Sequence, residues 1–370
     1  MSLNGHATAE GTRRYRDRLI GAGAARKDHF REGLGGLALS SIGLGTYLGK
    51  HDDATDALYR DAIMQAVASG CNVIDSAINY RCQRSERAIG QALAELIRAG
   101  TCRRDEVLIA TKGGFIPYDG APPRDGYAYV QKTFVMPGIF RPSDVVADCH
   151  CMTPTYLRHQ IDTSLANLEL ACLDVYYLHN PETQLEHVSR DEFMARMRAA
   201  FAALEEAVAR GKLRLYGTAT WEGYRVPTKA RGHLSLEVLV RLAEDVGGKD
   251  NHFKVIQLPY NLGMLEALVE KTQNLNGSAV SLLEAAKALG VYVMVSGPIL
   301  QGKLARGLPA ELHQVLGEGT DAQRSLQFVR STPGIGTALV GMKQEAHVRD
   351  NLALAKREPL LPEQIMGLGG

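Results

Sequence analysis

The sequence predicts a (β/α)8 barrel, a single domain of the TIM-barrel class, and three observations lead to it. Short apolar runs of strand length recur about eight times along the 370 residues. The segments between them carry apolar residues at three- and four-residue spacing, the mark of an amphipathic helix. Strands that read as near-continuous Val/Ile/Leu are buried on both faces, and their alternation with helices implies parallel pairing through right-handed crossovers.

The runs, in order, are "SSIGLGT" ending near Thr46, "CNVIDSA" near Ala77, "EVLIATK" near Lys112 and "CLDVYYLH" near His179. They continue with "LRLYGTATW" near Trp221, "KVIQLPYN" near Asn261, "VYVMVSG" near Gly297 and "GTALVGM" near Met342. Between them "DALYRDAIMQAVASG", "SERAIGQALAELIRAG", "TYLRHQIDTSLANLEL" and "AFAALEEAVARGK" read as helices. Eight βα units suggest closure into a barrel. The rival doubly wound sheet lacks its Gly-rich turn after a strand, and "GAGAARKD" at Gly21 has no strand before it.

The expected organisation is a polar lead over residues 1–36, flexible or packed on the barrel base, a barrel over 37–356, and a tail over 357–370. One connection breaks the rhythm. Residues 113–153, rich in Gly, Pro, Tyr and Asp, form an insertion after the third strand. It leaves from the strand's C-terminal end, where active sites of this fold sit, as a lid over the ligand or as a subunit interface.

Composition narrows the classes. A formal net charge of +1 with 22% charged residues gives no long basic face for nucleic acid. No apolar stretch is long enough to span a bilayer, and no secretory signal opens the chain, so a cytoplasmic location is expected. Six scattered cysteines point to reduced thiols. "CHC", Cys149 to Cys151, invites a metal, but no second Cys/His pair stands at zinc-finger spacing, and no metal is expected.

On a barrel, Asp75, Lys112 and His179 end the second, third and fourth strands, and Tyr80 lies just past the second. Singly these are a helix cap, a solvated lysine, a core histidine and a packing tyrosine. Jointly they face one mouth and can protonate a carbonyl oxygen. A phenol with a pKa near 10 is a weak acid, and a neighbouring ammonium is expected to lower that value by roughly 1 to 3 units. Lys112 supplies the charge, Asp75 holds Lys112, and His179 orients the substrate oxygen.

These residues, with "NVIDSAINY", "SERAIGQAL", "LIATKGG", "LDVYYLHNPE", "GPILQGKL" and "ALVGMKQEAHVRDNL" in that order, make the chain from about Leu37 to Asn351 resemble the aldo-keto reductase family. The resemblance implies an oxidoreductase in which hydride passes from a nicotinamide to a small aldehyde, ketone or sugar carbonyl, or back, with Asp75, Tyr80, Lys112 and His179 as its catalytic tetrad. It implies cofactor contacts at Gly45, Thr46, Thr220, Gln257, Ser296, Pro298, Ile299, Gly302, Gly341, Met342, Lys343, His347, Asp350 and Asn351. NADP(H) is preferred, because Lys343 is the natural partner of a 2′-phosphate, with NAD(H) as the alternative if Lys343 is only an exposed helix-start lysine.

Two departures stand out. Ala219-Thr220 replaces the family's usual Ser-Asn, and Ser296 stands where an aromatic often stacks on the nicotinamide. Trp221 either takes over that stacking, walls the substrate pocket or packs. Tyr47, Tyr118 and Trp221 are the expected substrate contacts, with Arg124 and Tyr127 as further candidates on the insertion. A second reading, a nucleotide-binding regulatory or scaffold protein of the kind of the potassium-channel beta subunits, shares the fold and would show negligible turnover.

Overall fold

In the computed structural model, which describes residues 2–368, the eight apolar runs become eight parallel strands of a closed barrel. They are β1 (Ile42–Gly45), β2 (Val73–Asp75), β3 (Leu108–Gly113), β4 (Leu173–His179), β5 (Leu213–Ala219), β6 (Phe253–Pro259), β7 (Tyr292–Ser296) and β8 (Thr337–Gly341). Each pairs with its neighbour in sequence, and β8 closes the ring on β1 through Ala338↔Ile42 and Val340↔Leu44. The principal helices between and after them are α1 (Asp53–Ala68), α2 (Arg84–Arg98), α3 (Pro154–Leu168), α4 (Arg190–Ala209), α5 (Leu236–Gly247), α6 (Leu282–Ala288), α7 (Asp321–Ser331) and α8 (Glu345–Leu352). Side-chain caps fix several starts: Asp52 accepts from the Thr55 N–H at 2.8 Å, and Ser281 and Glu284 cap α6 reciprocally.

The period of two along each strand decides what reaches the mouth. In β3, Leu108 and Ala110 join the cluster that fills the barrel while Ile109 packs outward, so Lys112 must point inward. The same alternation puts Asp75 inside after Val73, Gln257 after Val255 and His179 after Val175 and Tyr177. The inward positions below are apolar and closed; those at the C-terminal ends are polar.

The lead packs against the opposite end. Its helix, Ala9–Gly21, is capped by Thr8, and Arg14 and Arg18 both grip the buried Glu106 carboxylate at 2.9 Å. Gly11 is obligatory there, because a Cβ would stand 2.2 Å from the Asp105 carbonyl oxygen. A hairpin follows, Phe30–Leu34 paired with Leu37–Ser40, so residue 36 falls within its turn. Leu34, Leu37, Leu39 and Ala7 plug the barrel's N-terminal end against Val73, Leu108 and Val175. Asp174 ties the plug down: it accepts from the Ala7 N–H at 2.6 Å, the Ile109 N–H at 2.7 Å and the Arg104 guanidinium at 2.7 Å.

The 113–153 insertion is ordered around its own cluster. Phe134 and Phe140 stack at 5.4 Å, and Tyr156 of α3 meets both edge-on. It holds a short helix, Gly126–Val130, and a π-helical turn, Gln131–Val135. Its two ends are stitched together by Ile116 N–H to Cys149 O (2.8 Å) and Cys151 N–H to Gly114 O (2.9 Å). Among the described residues no helix is long and apolar enough to cross a membrane.

Candidate active site

Lys112 is completely buried, and its ammonium donates to Asp75 Oδ2 at 2.5 Å and to the Ser76 carbonyl at 2.6 Å. Asp75 in turn accepts from Gln257 Nε2 at 2.8 Å through its other oxygen, so both carboxylate oxygens are engaged. Burial alone would strip the charge from Lys112, but Asp75 and Tyr80 outweigh it and its pKa is raised. Burial pushes the Asp75 carboxyl up while Lys112 and Gln257 pull it down. The result is a fixed cation with nowhere to move.

That cation lies 4.9 Å from the centre of the Tyr80 ring. Tyr80 meets His179 edge-on at 5.8 Å and Tyr47 edge-on at 5.0 Å. The expected lowering of the phenol does not occur on balance. Burial raises the Tyr80 pKa, Lys112 pulls against it, and the net direction is upward. Lys112 therefore tempers a buried phenol. His179 is pushed well below its usual value by burial, then by Lys112 and His150, which makes it a neutral imidazole.

The backbone that presents Tyr80 is unusual. Arg81, Cys82 and Gln83 are three consecutive left-handed residues with φ of 50°, 55° and 70°. Outside contacts hold them: Arg81 pairs with Asp56, the Gly120 N–H reaches the Cys82 carbonyl at 2.9 Å, and Gln83 Nε2 reaches the Tyr118 carbonyl at 3.1 Å.

The residues expected around a cofactor lie at the C-terminal ends of strands or in the segments that follow them. Gly45 and Gly341 stand side by side in register on β1 and β8. The Thr46 hydroxyl donates to the Asp75 carbonyl at 3.0 Å. Thr220 follows β5, where its N–H donates to the Gln257 carbonyl at 2.8 Å and its buried hydroxyl has no partner among the described residues. Ser296 ends β7; Pro298, Ile299 and Gly302 lie in the next loop, with Leu300 and Gln301 left-handed between them. Met342 is buried, Lys343 and His347 flank the start of α8, and Asn351 is buried near its end. One carboxylate oxygen of Asp350 accepts from the hydroxyl of Thr320, the residue that caps α7.

Of the expected substrate contacts, Tyr47 and Trp221 are exposed at the mouth, 56% and 42% respectively. Tyr118 lies in the insertion, its ring edge-on to Tyr129 at 5.4 Å and its carbonyl accepting from Gln83 Nε2 at 3.1 Å. Among the described residues no group of three or more His, Cys, Asp or Glu side chains is gathered as a metal ion would need. His150 spends both ring nitrogens on protein partners, and Cys151 contacts Thr153.

Sequence reasoning missed Glu182. Its Oε1 accepts from the N–H groups of Trp221 (2.7 Å), Glu222 (3.2 Å) and Gly223 (3.3 Å), so it carries the turn that holds the sole tryptophan. It was visible only as the last letter of "LHNPE".

The family model described as Aldo/keto reductase family matches residues 41–368. The chain belongs to that family. The aldo/keto reductase is 24% identical over 341 residues to a 6-dehydroglucose reductase of Novosphingobium aromaticivorans, covering 88% of this chain and 90% of that protein. It is 26% identical over 191 residues to an NADH-specific methylglyoxal reductase of Escherichia coli, covering 50% of this chain and 49% of that protein. Among solved structures it resembles a Klebsiella pneumoniae aldo/keto reductase in complex with NADP and acetate, at TM-score 0.60 and 22% identity, over 92% of this chain and 94% of that one. A holo aldo-keto reductase from Bacillus halodurans matches at TM-score 0.61 and 20% identity, over 94% and 97%. The family and the reductase relatives make this chain an oxidoreductase.

Proposed function

We propose that this aldo/keto reductase is an NADP(H)-dependent reductase of a small aldehyde, ketone or sugar carbonyl, or the dehydrogenase of the corresponding alcohol, with Tyr80 as its general acid. The observation that carries the reading is the buried Lys112 ammonium, locked by Asp75 at 2.5 Å and set 4.9 Å from the Tyr80 ring beside a neutral His179. A charge this deeply buried is costly unless paired, as Asp75 pairs it here, and such buried ionised groups cluster at functional sites.

The residues present fit a nicotinamide nucleotide. The Thr220 hydroxyl and His179 Nδ1, at the ends of β5 and β4, are buried polar atoms without hydrogen-bond partners among the described residues. No side chain caps the start of α8, and Lys343 sits beside it, a combination that suits a phosphate. Thr220 and Gln257 would hold the carboxamide, Gly45 and Gly341 would admit the nucleotide between β1 and β8, and Lys343 would meet a 2′-phosphate. When bound, the reduced nicotinamide supplies hydride to the carbonyl carbon. Tyr80 gives the carbonyl oxygen its proton, and Lys112 stabilises the phenolate left behind. Asp75, steadied by Gln257, keeps the ammonium in place, and His179 orients the oxygen without carrying charge.

The 6-dehydroglucose and methylglyoxal reductases support a small oxo substrate, and the NADH-specific relative makes the coenzyme preference a question for Lys343. The test is fluorescence titration with NADPH and NADH, followed by loss of reduced-nicotinamide absorbance with a carbonyl panel. Tyr80→Phe is expected to lower kcat by about 10²- to 10⁴-fold with coenzyme affinity nearly unchanged. Lys343→Ala is expected to weaken NADPH about tenfold while sparing NADH. Full activity in Tyr80→Phe would defeat the reading.

A further inference from the structure

His179 is held by a directed chain of hydrogen bonds that the proposed chemistry does not itself require. It begins at Arg196 on α4, whose guanidinium donates to Gln184 Oε1 at 2.6 Å. A guanidinium only donates, so the Gln184 oxygen must face it and the amide nitrogen must face away. That nitrogen lies 2.8 Å from His150 Nδ1. Nδ1 is therefore the acceptor, and the ring proton sits on Nε2, which donates to the His179 carbonyl at 2.8 Å. Every donor in the chain points toward the last residue of β4.

The insertion brings His150 there. Its returning end bridges Phe115 antiparallel, and Phe115 places its ring edge-on to both imidazoles, 5.1 Å from His150 and 5.0 Å from His179. The β3 side offers no substitute, because the Gly114 N–H turns away to Gln160 Oε1 at 2.8 Å. Gly114 also makes the approach physically open: a Cβ at that position would lie 2.8 Å from His150 Nε2 and 3.1 Å from the His179 oxygen. Both His150 and Gln184 are buried, so the chain of hydrogen bonds is shielded from bulk water.

We propose that His150 is a positioning residue for His179, and that the 113–153 insertion serves to deliver it. Through the carbonyl it fixes the backbone of His179, and through Phe115 it fixes the ring. This rests on the reading of His179 as the group that orients the substrate oxygen.

The experiment uses the full chain and two substitutions at one site. His150→Gln keeps a donor at the position of Nε2, whereas His150→Phe keeps the volume and loses the donor. With NADPH and methylglyoxal as the probe, His150→Phe is expected to lower kcat about tenfold or more while the NADPH Kd stays within about twofold, and His150→Gln to recover most of the loss. In protein labelled with ¹⁵N-histidine, the His179 ring signals should move in His150→Phe and stay in place in His150→Gln, whatever the turnover. Equal kcat in the two variants, or His179 signals unmoved in both, would overturn the proposal. Tyr80→Phe run alongside separates the causes. If it stays active, the functional reading itself is wrong; if it is inactive while His150→Phe matches wild type, only this inference fails.

Discussion

In the proposed chemistry Tyr80 is the acid, and its surroundings set its strength: burial raises the phenol pKa most, and Lys112 pulls against it. The raised phenol pKa and the depressed His179 pKa together predict a pH profile. Reduction should stay flat through neutral pH with no break near 6.5, falling only in the alkaline range where the phenol ionises; kcat measured against pH with a fixed carbonyl checks this. Lys112 also carries stability. Lys112→Met should abolish turnover and cost about 3–5 kcal/mol, because Asp75 is left buried and unpaired. The double variant Lys112→Met/Asp75→Asn should be more stable than Lys112→Met alone, which urea denaturation of the two would show.

The turns after the strands decide which residues meet. Glu182 and Trp221 are 39 positions apart, yet one carboxylate oxygen of Glu182 holds three backbone N–H groups at the tryptophan's turn. Glu182→Ala should orphan them, cost about 1–3 kcal/mol, and show directly as a shift in the emission of the only tryptophan. The strand ends were legible because periodicity two and an apolar run determine which side chain surfaces, and this is how Asp75, Lys112 and His179 could be named from spacing. Glu182, Gln184 and His150 were not legible, since nothing local marks a side chain whose partner comes from another loop. The left-handed run at Arg81–Gln83 was equally hidden, because it contains no glycine to announce it. The short hairpin Gln273–Leu275 with Ser278–Val280, between β6 and α6, was missed although its turn, Asn276-Gly277, is a readable two-residue hairpin signal, both residues being left-handed at φ of 50° and 84°.

At the scale of the whole molecule, Asp174 fastens the N-terminal lead to the end of the barrel opposite the candidate site. Asp174→Ala would leave Arg104 and two backbone N–H groups without their acceptor, and a loss of about 3–5 kcal/mol in urea denaturation is expected. Acid should weaken the fold early. Burial lowers His29 to about 3 and His150 to about 4, so the unfolded chain binds protons that the folded one refuses. Their contribution is complete above about 6.5 and is lost as pH falls toward those values, so Tm should decline steadily below about pH 6.

The clamp at the barrel base also sets an order of events. Ala7 and its acceptor Asp174 are 167 residues apart, and Leu3 donates to Glu169 just before it. On a ribosome adding about 5–20 residues per second, the lead emerges on the order of 10–30 s before the strand that anchors it exists. The lead thus gains its acceptor only once the fourth strand has been synthesised, while β5–β8 are still to be made.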